Sequence, residues 1–412
     1  MSLIKPFAGL RPQLEYAADV VAPPYDVLNT EEARQRAEGR PYSFLHVSKP
    51  EIDLPVGMDP YDPRVYAKGK ENLQAMIDRN VLIRDPQPCY YLYRLVMGTH
   101  TQTGLVAVAS VTAYDTNRIR KHEYTHPDKE DDRVRQIDAL NAQTGPVFLT
   151  YRHDPVIDAL VDSIINTKSL YDLTADDGVQ HTLWLIDEIP NIELVTRTFE
   201  AMDCLYIADG HHRSAAASRI AKMRHDSIGE TREIAADYFL SVLFPDNQMQ
   251  ILDYNRVVTD LNGLSVKAFL TAIEQAFEVT ACETAVNPAR SGEFGMYLAQ
   301  QWYRLRILPE RIPGDDPVRR LDVSLLQNNL IEPVLGIQDP RRDKRIDFVG
   351  GIRGLAELEK RVNTGEMQAA FSLFPTRMAD LMAVADANEI MPPKSTWFEP
   401  KLADGLVSHL LD

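Results

Sequence analysis

The chain has 412 residues, 44% hydrophobic and 25% charged, an ordinary globular composition that excludes disorder over most of its length and suggests roughly two to three domains. Sixty acidic against 44 basic residues leave a formal net charge of −16, the wrong sign for a broad grip on nucleic acid or an anionic membrane. Cys89, Cys204 and Cys282 are too far apart for a zinc ribbon and odd in number, which speaks against a disulfide framework and fits reduced thiols in a cytoplasmic protein. The start has no apolar signal-peptide core, and no run approaches the about 18 apolar residues of a membrane span.

In chain order, residues 20–27 predict a short strand broken by Pro23-Pro24, and Thr30 caps a polar helix to about Glu38. Residues 62–79 carry Val65, Ala67, Leu73, Met76 and Ile77 at helical spacing. Residues 89–97 and 104–113 are aromatic and β-branched and predict a hairpin across a loop at 98–103. A helix over 128–142 follows, stopped by Gly145-Pro146 before a strand at 147–151. Helices at 156–165, 192–202 and 214–224 alternate with strands at 179–186 and 204–208, and strands at 238–244 and 250–258 close this part. After Gly263 the pattern restarts with a helix at 266–276, strands near 295–298 and 302–308, a loop at 309–317 and a helix at 323–330. The expected class is α+β, with a catalytic unit over 1–260, a smaller α+β unit over 261–375, and a segment, 376–412, that folds back toward the site.

Four segments could carry chemistry. Ala208-Asp209-Gly210-His211-His212-Arg213 lies between a strand and an alanine-rich helix. Free amides and the helix dipole there suit an anion, with His211, His212 and Arg213 as positive donors. The bland alternative is that Asp209 caps the helix and the His-His-Arg run is solvated. Residues 118–135 hold thirteen Lys, Arg, His, Asp or Glu among eighteen. Mixed charge before a helix could hold a phosphate–metal pair, or could simply be a salt-bridged helix start with Thr125 and Asp128 as a capping box. Pro23-Pro24 presents Tyr25 and Asp26 on a rigid turn, where a carboxylate could act as general base or merely begin the turn toward Thr30. Residues 391–401 place Lys394, Ser395, Thr396 and Trp397 between prolines, either as a loop over a site or as a docked tail.

These segments, with Lys-Pro-Phe-x-Gly-Leu-Arg-Pro at the start, Ser-Phe-Leu-His-Val, Gly-Pro-Val-Phe-Leu and Asp-Tyr-Asn-Arg, resemble a bacterial family of long-unknown function in the ParB/sulfiredoxin-like superfamily. The resemblance spans nearly the whole chain. It implies a ParB-like N-terminal unit with insertions, related to free serine kinases, and phosphoryl transfer from pyrophosphate or ATP/ADP to L-serine. By the resemblance, Gly210, His211, His212 and Arg213 grip phosphate, and Asp26 is the base where those kinases carry glutamate. Glu123 is the rival base. In this reading His122 joins the catalytic set, Lys121, Lys129 and Arg133 neutralise phosphate charge, and Asp209, Glu123 and Asp132 are candidates for Mg²⁺. Tyr25 and residues 394–397 would bind substrate. Sulfiredoxin chemistry lacks its cysteine, because His211 stands in that turn. Partition-type DNA binding lacks a helix-turn-helix and a basic face. A phosphate-binding module without turnover, or a hydrolase or kinase for another small hydroxyl compound, remain the alternatives.

Overall fold

Two compact units divide the chain, Met1–Met249 with Pro400–Asp412, and Gln250–Glu399. The computed structural model describes residues 2–229 and 232–412. The first unit is built on a nine-stranded mixed sheet. Its strands are β1 (Ile4–Lys5), β2 (Tyr90–Met97), β3 (His100–Ser110), β4 (Ile119–Arg120), β5 (Val147–Tyr151), β6 (Tyr171–Thr174), β7 (Gln180–Ile186), β8 (Leu205–Asp209) and β9 (Tyr238–Pro245). The order is β4-β8-β5-β9-β3-β2-β7-β6, with β1 also on β3. β8 runs parallel to β4, and β9 parallel to β5.

The hairpin turn is tighter than the sequence suggests. Met97 pairs with His100, so only Gly98 and Thr99 turn, and the Thr-rich residues 101–103 extend the strand as β-branched residues tend to. The second strand stops at Ser110 rather than 113. There the Ser110 hydroxyl accepts from the Ala113 N–H at 3.2 Å and starts a helix, Val111–Asp115.

Residues 20–27 do not form a strand. Two prolines without N–H groups cannot hold a ladder, so only Ala22 bridges, to Asp404, and Tyr25–Val27 is a single 3₁₀ turn. The next helix, Thr30–Ala37, is capped by Asn29 and not Thr30, through a capping box with Glu32.

Three helices position the site: α1 (Pro63–Asp78), α2 (Pro127–Leu140) and α3 (His211–Ile228). α2 presents Val134 and Ile137, and α3 presents Ala216 and Ile220, to one shared apolar cluster. Small Ala215–Ala217 side chains let the helices approach closely. Ion pairs Asp131–Arg219 at 2.7 Å and Asp138–Arg224 at 2.8 Å flank the seam. Because these partners rise together along both helices, α2 and α3 run parallel, with their N-termini side by side. The cap expected from Thr125 is absent; His126 takes that place and the Thr125 hydroxyl bonds Glu130. The larger core lies against the sheet, where Phe199 and Val195 are fully buried, each such side chain contributing about 2 kcal/mol.

The second unit holds a six-stranded antiparallel sheet of β10 (Tyr254–Val258), β11 (Phe277–Cys282), β12 (Glu293–Leu298), β13 (Gln301–Ile307), β14 (Ile346–Gly350) and β15 (Ala369–Leu373), in the order β11-β13-β12-β15-β10-β14. Helix Gly354–Asn363 packs Leu358 into its core. Residues 250–258, read as one strand of the first part, belong to this unit. They split into Gln250–Leu252, paired with Trp397–Glu399, and β10. The helix expected over 323–330 is α-helical only over Asp322–Leu326 and continues as a π-turn. No helix among the described residues is long and apolar enough to cross a membrane.

Candidate active site

β8 ends at Asp209, and Gly210 turns the chain directly into α3 with φ 104°. A side chain there would meet the Arg213 guanidinium at 3.1 Å, so glycine is what lets Arg213 fold back over the turn. The first amides of α3 lack intrahelical acceptors. Those of α2 lie beside them, since the His126 N–H donates to His212 Nε2 at 3.0 Å and the two rings stack at 6.0 Å. Two positive helix ends therefore converge on one place.

The charges around that place differ from the expectation. Burial pushes His122 and His212 down to about 4, and holds His211 well below its ordinary value. The three are neutral near pH 7, so they act as hydrogen-bonding groups and not as cations. His211 accepts from the His122 N–H on Nε2 at 3.4 Å, which leaves its Nδ1–H facing Glu123 Oε2 at 3.7 Å. Lys121 does not join the turn; its ammonium packs over the Tyr114 ring at 4.0 Å. Lys129 is exposed and acts on His212 only through its charge.

The permanent cations are Arg213 and Lys401. Arg213 is buried, donates to the Pro146 carbonyl and lies 3.8 Å from Asp209 Oδ1. Lys401 reaches Asp209 Oδ2 at 3.2 Å. Packing around Asp209 would raise its carboxyl, but Lys401 and Arg213 hold it below the ordinary carboxylate range. The sequence reading gave Lys401 no role.

Arg133 stands on α2 with its guanidinium 4.0 Å above the Tyr25 ring, and it forks onto Asp132. Tyr66 of α1 donates to the other oxygen of Asp132 at 2.8 Å. This chain of contacts fixes Tyr25, and with it Asp26, which is exposed and acts electrostatically on Arg213 and Arg133. Arg133 thus positions the Tyr25 turn, and Asp132 is spent on two hydrogen-bond partners. Asp209 is spent on Lys401. Among the described residues no group of three His, Cys, Asp or Glu side chains could hold a metal. Asp209 and Asp132 thus have partners within the protein, and the permanent positive charge at the turn is that of Arg213, Lys401 and the helix ends.

A small pocket of about 30 Å³ lies between Tyr25, Arg133, Arg213 and Asp404. Asp404 is tied to the Pro-Pro segment by two backbone hydrogen bonds with Ala22, at 2.9 and 3.1 Å. Next to it Gly405 has φ 88° and lies so close to Phe44 that a Cβ would sit 2.8 Å from the ring. Lys394, Ser395, Thr396 and Trp397 are not among the residues gathered here. They belong to the second unit, where Ser395 bonds the Pro392 carbonyl and Trp397 donates to Glu399 at 2.7 Å.

Burial pushes the Asp404 carboxyl up to about 7; Arg213 opposes the rise, and Asp26 adds to it. A carboxyl raised on folding binds its proton more tightly when folded. Its cost to stability is full above about pH 7 and fades as pH falls toward the unfolded value near 4. Asp404→Asn is expected to stabilise the protein at pH 8 by up to about 4 kcal/mol, with a smaller gain at pH 5. Thermal melts at the two pH values check this; a variant less stable than wild type at pH 8 contradicts it.

The fold and site define an α+β protein with a strand–glycine–helix turn at paired helix ends beside a small pocket of mixed lining. The chain belongs to the family described as "Protein of unknown function (DUF1015)", which matches residues 4–324. No curated protein matches it. Among solved structures it is similar to a conserved hypothetical protein from Pyrococcus furiosus, at 15% identity over 73% of this chain and 93% of that one, TM-score 0.34. It is also similar to a free serine kinase in complex with AMP, at 12% identity over 73% and 92%, TM-score 0.34. A third is the C-terminally truncated SbnI from Staphylococcus aureus, at 10% identity over 73% and 85%, TM-score 0.37. Likeness at that level leaves the chemistry to be argued from this chain's own residues.

Proposed function

We propose that this protein transfers a phosphoryl group from pyrophosphate or a nucleotide to the hydroxyl of free L-serine, giving O-phosphoserine. The observation that carries the reading is the convergence of the α2 and α3 N-termini on the Gly210–Arg213 turn, beside a pocket that holds Tyr25 and Arg133. Such a place suits a polyanionic donor next to a small polar acceptor. The motif resemblance to free serine kinases points the same way.

In this reading Asp26 takes the proton of the serine hydroxyl. The serine oxygen forms a bond to the terminal phosphorus as the bond to the leaving phosphate or nucleotide breaks. Arg213, Lys401 and the helix amides hold the phosphate oxygens, and the neutral His211 and His212 donate hydrogen bonds. Phosphoryl transfer asks mainly for positioning and electrostatics, which this turn offers without a covalent nucleophile.

The test is mass-spectrometric detection of O-phosphoserine after incubation with L-serine, Mg²⁺ and, separately, pyrophosphate, ATP and ADP. Product is expected with at least one donor. Donor consumption that serine does not stimulate would mean a hydrolase or another acceptor. Donor binding without any turnover would mean a phosphate-binding module.

A further inference from the structure

The pocket beside the Gly210–Arg213 turn holds a buried carboxylate favoured only by the charges of Arg213 and Arg133 and by the Tyr25 amide. Asp404 is 1% exposed, and neither carboxyl oxygen closes a well-formed hydrogen bond. Ser48 is 6% exposed, and its hydroxyl is also unpartnered. Both line the pocket. The neighbouring cations reach Asp404 through their charge and make their hydrogen bonds to other groups. Arg133 forks onto Asp132, and Arg213 donates to Pro146. Gln136 and Gln143 of the same pocket are satisfied internally, by the Val47 carbonyl and by Tyr238 and Leu240.

Buried acceptors without donors are costly, and proteins keep them where a ligand supplies the donors. The group missing here must be compact, cationic and rich in N–H. A primary ammonium supplies three such donors. Arg213 and Asp404 both approach Gly145: a Cβ on Gly145 would be 3.6 Å from each. An acceptor zwitterion reaching both would set its ammonium at Asp404 and its carboxylate at Arg213.

Resting on the phosphotransferase reading, we infer that Asp404 receives the α-ammonium group of the acceptor, with the Ser48 hydroxyl as second acceptor. The pocket then selects a hydroxy amino acid over a hydroxy acid of the same size.

Titration supports the geometry. Asp404 must be ionised to hold an ammonium, and its carboxyl sits at about 7 because burial outweighs Arg213, Arg133 and the Tyr25 amide, with Asp26 repelling it.

The experiment is calorimetric binding to the full chain of L-serine, L-alanine (ammonium without hydroxyl) and 3-hydroxypropionate (hydroxyl without ammonium). Wild type is expected to bind both amino acids and not 3-hydroxypropionate. Asp404→Asn should weaken the amino acids about thirtyfold, the worth of a charge-assisted hydrogen bond. Ser48→Ala should weaken them severalfold. On wild type itself, affinity for L-serine should fall roughly tenfold per pH unit below 7. L-serine binding that survives Asp404→Asn within threefold overturns the inference. So does a flat pH profile, equal binding of 3-hydroxypropionate, or no binding of L-serine to wild type. If Asp404-dependent binding holds and no donor gives phosphoserine, the phosphotransferase reading fails and the ammonium subsite stands.

Discussion

Arg213→Met should cost about 3–5 kcal/mol of stability near pH 8, and about a thousandfold in turnover. Arg213 is the buried cation that Asp209, Asp26 and Asp404 all act upon. Methionine keeps much of its volume and removes its charge. Asp209 would retain only Lys401, and Asp404 would retain Arg133 at longer reach. Both carboxyls then rise in the folded state: the Asp404 part of the deficit is full at high pH and shrinks as pH falls toward 5, whereas the Asp209 part persists at pH 5 and fades only below the ordinary carboxylate range. Urea melts at pH 8 and pH 5 read the first effect, and phosphoserine formation the second. A deficit equal at both pH values would mean that Asp404 contributes nothing to it.

Asp26→Asn should behave oppositely, leaving stability within about 0.5 kcal/mol and lowering kcat about a thousandfold. The side chain is exposed on the 3₁₀ turn, so its removal disturbs no core. Asparagine keeps the shape and cannot take a proton. KM for L-serine should change little, because the proposed ammonium and phosphate contacts lie on other residues. Glu123→Gln is the paired measurement, since Glu123 sits on the far side of His211. If Glu123→Gln produces the large loss and Asp26→Asn does not, the base has been assigned to the wrong carboxylate.

The Asp209–Arg213 turn was legible because strand, glycine and helix are contiguous, and local signals of that kind survive folding. What failed was charge. His122, His211 and His212 look cationic in a string, yet burial neutralises them, and burial comes from strands distant in sequence. Lys121 fails for a simpler reason. It directly follows the β4 strand, where neighbouring side chains alternate, so it turns to Tyr114 while His122 turns to His211. Asp404 and Ser48 carried no signal, and Lys401 entered only as the last residue of the 391–401 segment. Their roles depend on chain segments brought together over hundreds of residues, and a lone Lys-Leu-Ala-Asp-Gly has no periodicity to betray them. Thr30 and Thr125 show the usual ambiguity of caps, where the residue next door took the position.

The first unit is made of two pieces separated by the whole of the second. A ribosome therefore releases the glycine turn and Arg213 long before it releases Lys401 and Asp404. Until then Asp209 lacks its lysine, Ala22 lacks its bridging partner, and the Tyr25–Asp26 turn is held from one side only. The Asp209–Arg213 turn therefore gains its last contacts only after the whole of the second unit has been synthesised.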